Sequence, residues 1–407
     1  MKKLKLFNLI TVSLFVLLIV CLTAAFLIIP DRDFSEEENR KLSQVPKFTL
    51  EKLADGTFSD QITRYIEDQF PMRDLFVELK GYSELALGKG ENNGVLLGRD
   101  GQLAVRLFDA YKSRLERIED TDLYSEENII AGIEALNRFS ESCELPVVTL
   151  IPPRSVDVAC SAVDYPSEIS DSIRDTIASN ISEKAGYIDL FGEMRGRFDA
   201  GEYVYMRTDH HWTSYGAYLA YCEVMRSFGM EDEIIPAENF TVEGVKDFYG
   251  TTWSKAGFRF VGPDTLELWS LGNEDEFETS CYSVIQSYSE DGSAVKEKKA
   301  YKSFSSWLNR DYLDQKDKYA AFLDGTHNEQ TVFMKGGSGR EKLLVVKDSV
   351  ANSLVQFLAQ HFDLVIINLA NKVSDVTSYA DEYGCSRILF VYNVANLIET
   401  SNLSAIK

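Results

Sequence analysis

The sequence predicts an α/β fold, a parallel sheet with helices on both faces, preceded by one N-terminal transmembrane helix. Three observations carry the prediction. In the last third of the chain, apolar runs of strand length alternate with helical stretches, the mark of βαβ units. A further apolar run, Pro146-Val-Val-Thr-Leu-Ile151, stops at Pro152-Pro153. Leu6–Ile29 is an uncharged run of 24 residues, enough to cross a bilayer.

The N-terminal run has a basic flank, Met1-Lys-Lys-Leu-Lys5, and an acidic one with Asp31, Asp33, Glu36, Glu37 and Glu38. The positive-inside rule then places the bulk of the chain outside the cytoplasm. A cleavable signal peptide is the competing reading, and Ala24-Ala25 leave a cleavage site open. The run is long, however, and Leu27-Ile-Ile-Pro30 lacks the small residues of a cleavage site. Cys21 lacks the small residue expected just before a lipidated cysteine. Residues 1–30 therefore read as a cytoplasmic tail and uncleaved signal anchor, and 31–57, polar and irregular, as a linker.

At 407 residues and 45% hydrophobic, the chain has material for a substantial core. Its net charge of −22 argues against nucleic acid as a partner. Cys143, Cys160, Cys222, Cys281 and Cys385 fall in the exported part without paired zinc-ribbon spacing, and read as small buried apolar residues.

Along the exported part, the apolar stripe Phe58, Ile62, Tyr65, Ile66, Phe70, Leu75, Phe76 and Leu79 predicts helix over 58–86, broken at Pro71. Gly94–Gly98 and Gln102–Val105 flank Arg99-Asp-Gly101, a hairpin signature. Residues 125–143 read as helix, 146–151 as strand, 167–185 as helix, 187–191 as strand and 214–228 as helix with Thr213 at its N-cap. Residues 230–340, rich in Gly, aromatics and mixed charge, read as an irregular insertion of strands and loops that cover or shape a cleft. Then come a strand at 342–347, a helix at 349–361, a strand at 364–369, a helix at 374–383 and a strand at 387–392. Together 58–407 is expected to be one catalytic domain.

The chain has only four histidines, two of them adjacent in Asp209-His-His-Trp212. In an extended segment Asp209 and His211 project to one side and His210 to the other. A carboxylate two residues from an imidazole can fix its tautomer and stabilise the imidazolium, as in a Ser-His-Asp system. The missing nucleophile is sought at the carboxyl ends of strands, where open α/β sheets bind ligands. Ser349, in Val345-Val-Lys-Asp-Ser349, sits between a buried strand and a helix, whose free N–H groups would flank an oxyanion. An ordinary N-cap is the plainer reading of Ser349 alone; the Asp-x-His pair favours the nucleophile. Arg154, after Ile151-Pro-Pro, reaches the same rim and either holds substrate or makes a surface ion pair.

These residues carry a resemblance. Asp209-His-His-Trp212 with Lys347-Asp-Ser349 resembles the bacterial DHHW family, which is similar to the acetyltransferase domains of alginate O-acetylation proteins and, more distantly, to SGNH hydrolases. Ser35-Glu-Glu-Glu-Asn-Arg-Lys-Leu42, Asp68-Gln-Phe-Pro-Met-Arg73, Asn93-Gly-Val-Leu-Leu-Gly98 and Phe322-Leu-Asp-Gly-Thr-His327 extend the likeness over the exported part. The chain departs from the pattern at Lys347, where Gly is usual, and at His210, the middle residue of the Asp-x-His motif. The resemblance implies an SGNH-hydrolase-like sheet, with Asp209 orienting His211, His211 as general base and Ser349 as nucleophile.

It further implies a membrane-anchored extracytoplasmic O-acetyltransferase that modifies hydroxyls of a cell-surface or exported polysaccharide. A multi-pass membrane acyltransferase would supply the acetyl group. A carbohydrate esterase with the same three residues, or a non-catalytic envelope assembly protein, are the alternatives. Asn352 is a candidate oxyanion donor, while His210, Trp212 and Tyr205 are candidate substrate contacts; for His210 and Trp212, packing competes. His327 reads as a solvated loop residue. Adjacent histidines rarely ligate one ion, and no H-x-x-x-H, Gly-rich phosphate loop or dinucleotide fingerprint appears. No metal or cofactor is expected.

Overall fold

The computed structural model describes all residues except 1, 39, 107–125, 289–293, 338, 369–374, 400–402, 404, 405 and 407. They form two compact units, Met1–Lys89 with Gly257–Arg259, and Gly90–Ala256 with Phe260–Lys407.

In the first unit a helix runs from Lys2 to Ile28, and its Phe7–Ile28 portion is long and apolar enough to cross a membrane. Pro71 divides the following helical stretch into Thr57–Asp68 and Arg73–Ala86, as a residue without an N–H dictates. Both helices group with the N-terminal segment and not with the second unit. The expected linker is structured. Its Phe34–Ser35 and Arg40–Lys41 strands pair, and Leu50–Ala54 is a short helix. Arg40 Nη1 and Ser43 N donate to the buried Asp68 carboxylate at 3.0 and 2.8 Å.

The second unit is built on one eight-stranded sheet. Its strands are β1 (Val147–Leu150), β2 (Tyr187–Ile188), β3 (Phe277–Tyr288), β4 (Ala294–Ser305), β5 (Glu329–Met334), β6 (Lys342–Lys347), β7 (Asp363–Asn368) and β8 (Arg387–Val391). The order across the sheet is β4-β3-β5-β7-β6-β8-β1-β2. The five strands from β7 to β2 are parallel, while β5, β3 and β4 join antiparallel.

The sheet is therefore mixed where a parallel one was expected, and the strands expected within an insertion at 230–340 include three, in 277–334, that extend this sheet. The reason is compositional. Parallel strands buried on both faces read as continuous apolar runs, whereas antiparallel strands tolerate polar residues and are weakly visible in sequence. Edge strand β4 carries Lys298, Lys299 and Lys302, which discourages pairing with another chain.

Residue alternation on the parallel strands divides the core. Leu343, Val345, Leu364, Ile366, Leu389 and Val391 pack on one face with Trp212 and Phe357. Leu344, Val346, Val365, Ile367, Ile388 and Phe390 pack on the other with Ile129, Ile133 and Leu136 of the helix Glu126–Ser142. Strand β6 is central; the chain leaves it to pair β7 on one side, then crosses to pair β8 on the other. Its carboxyl end is thus a topological switch point. The rim there is closed by backbone bonds, Asp348 N to Val391 O at 3.2 Å, Tyr392 N to Leu150 O at 3.1 Å and Val394 N to Pro152 O at 3.1 Å.

The helix expected from Ser349 to His361 is instead a 3-10 segment, Ser349–Leu354, followed by one α turn, Val355–Leu358. The Tyr319 hydroxyl lies 3.0 Å from Ser349 O and 3.2 Å from Val350 O, engaging carbonyls that an α-helix would bond internally. The helix expected from 374 is Val376–Tyr383, and residue 374 lies outside the described residues, as does 369 at the end of the expected strand.

Candidate active site

The Asp-His-His-Trp segment is a turn, not an extended strand. Tyr205 bridges to Trp212, Met206 N bonds His211 O at 3.2 Å and Thr213 N bonds Val204 O at 3.0 Å, so Arg207–His210 forms the tip. Asp264 braces the tip, its Oδ2 accepting Thr208 N at 2.7 Å and Thr208 Oγ1 at 2.5 Å. Asp209 Oδ1 then accepts both the backbone N–H of His211, at 3.1 Å, and its ring Nδ1, at 2.5 Å. The turn produces the facing of Asp209 and His211 that was expected from strand alternation.

The same turn overturns the expectation for His210. Its ring lies over that of His211, with centroids 3.8 Å apart, and its Nδ1 is 3.5 Å from Asp209 Oδ1. Nδ1 also meets Thr251 Oγ1 at 2.8 Å.

The other oxygen of Asp209 is held by residues the sequence did not point to. Thr251 N and Oγ1 donate to Oδ2 at 2.7 and 3.0 Å. Gly250 gives them room: a Cβ there would sit 2.3 Å from Asp209 Oδ2. Tyr319 stacks on His211 with centroids 3.8 Å apart and planes within 13°. No local pattern marks Thr251 or Tyr319, since each acts by a contact across more than forty residues of chain.

Ser349 closes the line. His211 Nε2 lies 3.0 Å from Ser349 Oγ, and Ser349 is only partly buried. Asp348 is a structural anchor. Its Oδ1 accepts Val350 N at 3.0 Å, and its Oδ2 accepts Asn393 N at 2.7 Å and Asn396 Nδ2 at 2.8 Å. The Val350 N–H, one of the donors at the start of this segment, is thus already used. Lys347 is fully buried, with Nζ 2.5 Å from Asn352 Oδ1. Asn352 Nδ2 lies 3.4 Å from Gly325 O.

Burial alone would raise the Asp209 carboxyl. The positive charge His210 and His211 can carry, the ring hydrogen bond and the Thr251 N–H outweigh it and hold the group well below the carboxylate range. Burial, then His211, push His210 down to about 3, so its ring is neutral near pH 7. Burial pushes Lys347 down to about 8 and raises the Tyr319 hydroxyl and the Asp348 carboxyl.

For the remaining candidates, the packing reading holds for Trp212 and an ion pair, buried and not at the surface, holds for Arg154. Trp212 is fully enclosed and donates Nε1–H to Ser353 Oγ at 2.9 Å, leaving no face for a sugar. Tyr205 is equally buried, its hydroxyl donating to Pro153 O at 2.6 Å. Both tie the turn to the core. Arg154 does reach the rim, beside His210 and Asn393, but its Nε and Nη2 donate to Asp157 at 2.8 and 2.7 Å in a buried pair. Asp209, His210 and His211 place three ligand-type atoms within 4.8 Å; both carboxylate oxygens are, however, engaged by His211 and Thr251.

The comparisons bear on this arrangement. A family model described as DHHW protein matches residues 143–368, which contain Asp209, His211 and Ser349. A DHHW family protein from Eubacterium siraeum DSM 15702 is similar at 19% identity and TM-score 0.55, over 77% of this chain and 95% of that one. Bacillus cereus PatB1, in a structure with a sulfonyl adduct, is similar at 18% identity and TM-score 0.54, over 77% and 100%. The O-acetyltransferase domain of Pseudomonas putida AlgJ matches at 14% identity and TM-score 0.43, over 77% and 95%. No curated protein matches. The first two likenesses establish a shared fold, and the family match, spanning more than half of the residues, assigns the chain to the DHHW family.

Proposed function

We propose that the chain is a membrane-anchored extracytoplasmic O-acetyltransferase working through an acyl-serine intermediate on a fold of the SGNH-hydrolase type. The observation that carries this reading is the unbroken line from Asp209 through His211 to Ser349, with contacts of 2.5 and 3.0 Å. The Asp209 contact keeps the ring proton on Nδ1, so Nε2 is the acceptor. Nε2 takes the Ser349 proton as Oγ attacks the acetyl carbonyl carbon. The same proton passes to the leaving group, and acetyl-Ser349 remains. An acceptor hydroxyl then gives its proton to Nε2, attacks the acyl carbon, and Ser349 Oγ recovers a proton as the new ester departs. Asn352 is the proposed oxyanion donor.

The proposed acceptor is a cell-surface or exported polysaccharide, and the proposed acetyl source a multi-pass membrane acyltransferase beside the N-terminal helix. Because Asp157 neutralises Arg154 and the chain carries a net −22, an acceptor of low charge fits better than a polyanion. Fluorophosphonate should label wild type, fail on Ser349→Ala and slow on His211→Ala; equal labelling of Ser349→Ala overturns the reading. With an activated acetyl ester, acetylated oligosaccharide product supports transfer, and acetate release alone makes the chain an esterase.

A further inference from the structure

A second cluster of reactive side chains lies outside the line just described. We propose that Cys281, Asp324 and His327 form a binding site for a thiophilic divalent cation of the Zn²⁺ class. Their sulfur, carboxylate and imidazole atoms lie within 4.8 Å of one another. Zinc–ligand bonds of about 2.0–2.3 Å ask for ligands roughly 3.3–3.8 Å apart, so side-chain adjustments of about 1 Å would close the site.

Three features of the backbone and surroundings point the same way. Cys281 sits opposite a β-bulge of β4, where the register shifts between Cys281 and Tyr282 and leaves Tyr301 as the extra residue; bulges re-aim side chains, and Tyr301 is the residue that meets His327. Asp324 has φ 62°, between Leu323 at 61° and Gly325 at 82°. Two successive non-glycine residues in the left-handed region are costly, and such strain gathers at functional sites. Finally, each ligand already has an outer partner. Asp324 Oδ1 accepts Lys302 Nζ at 2.7 Å and Asn309 Nδ2 at 2.6 Å, which leaves Oδ2 for His327 Nε2 at 3.0 Å. His327 Nδ1 bonds the Tyr301 hydroxyl, and Gln330 Nε2 lies 3.5 Å from Cys281 Sγ. The buried Gln330 Oε1 has no hydrogen-bond partner among the described residues.

Outer-shell partners of this kind fix the tautomer and orientation of ligands. On binding, the ring proton moves to Nδ1 and faces Tyr301, the Cys281 thiol loses one proton to solvent, and Nε2, Oδ2 and Sγ bind the ion. A 360 Å³ cavity lined by Tyr282, Tyr301 and His327 reaches one of the three ligands, His327, and offers the side from which the ion and a water as fourth ligand would enter. One thiolate, one imidazole and one carboxylate select zinc or cobalt over magnesium or calcium. Lys302 is the opposing charge, and its ammonium must turn away from Asp324 as the cation enters.

The test uses the full chain in detergent, reduced and metal-free, titrated with Co²⁺. The expected result is one equivalent bound with a thiolate-to-cobalt charge-transfer band, reversed by Zn²⁺, lost in Cys281→Ser and lost or weakened in His327→Gln. Lys302→Ala, which leaves all three ligands intact, should bind several-fold more tightly. Fluorophosphonate labelling of Lys302→Ala should match wild type, which keeps this proposal separate from the Ser349 reading. Binding without a thiolate band, binding lost in His210→Ala instead, or no saturable binding overturns the proposal.

Discussion

Asp209 is charged because of what surrounds it, and two small residues decide that surrounding. Gly250→Ala would drive a methyl into the carboxylate at 2.3 Å, so fluorophosphonate labelling should fall at least to the level of Asp209→Asn. Thr251→Val removes the hydroxyl bond to Oδ2 but keeps the N–H. Losing one hydrogen bond to a charged group costs about 1.5–3 kcal/mol, so the labelling rate should drop by about tenfold or more and Tm should fall by a few degrees as well. Lys347 makes a prediction of opposite sense. Its folded value of about 8 lies below the ordinary 10.5, so below about pH 8 both states hold the proton and burial of the charge opposes folding. Between about pH 8 and 10.5 only the unfolded chain holds it, and stability rises with pH by on the order of 3 kcal/mol. Denaturant titrations at pH 7 and pH 10 should show Lys347→Met gaining on wild type at the lower pH and losing that advantage at the higher.

At the scale of elements, the site depends on how the histidine turn enters the helix Ser214–Ser227. Thr213 caps that helix by accepting Gly216 N at 3.1 Å, and its hydroxyl donates to Tyr203 O at 2.7 Å. It therefore ties the helix start to the segment leading into the turn. Thr213→Ala should lower stability by about 1–2 kcal/mol, read as a fall in urea midpoint at unchanged slope. Residual labelling should stay well above that of His211→Ala. Gly216 makes the close approach beneath this cap, since a Cβ there would meet Val204 O at 2.3 Å.

For the whole molecule, Asp209, His211, Thr251, Tyr319 and Ser349 all belong to the unit built on the eight-stranded sheet. A chain of residues 90–407 should consequently keep fluorophosphonate labelling at a rate near that of the full protein, and lose association with membranes. Full-length protein should stay with the membrane fraction under alkaline carbonate, as an apolar helix of this length inserts stably.

The parallel half of the sheet, the break at Pro71, the Thr213 cap and the pairing of Asp209 with His211 were all legible in sequence, because each rests on local periodicity or spacing. Ser349 was legible through its place after a buried apolar strand taken together with the Asp-x-His pair and the family resemblance; its place alone pointed to an N-cap. Beyond that, local pattern misled. Extended alternation put His210 on the far side, whereas the turn braced by Asp264 lays its ring, tilted by 37°, against that of His211. Trp212 and Tyr205 are chemically suited to sugar but enclosed by packing, and Asp157 engages Arg154. Thr251 and Tyr319 gain their roles only where the chain returns to the rim. Sequence by itself determined which groups were available and the strands that carry them. Tertiary structure alone decided which polar atoms meet, because hydrogen bonds act over about 3 Å between residues as far apart as His211 and Ser349.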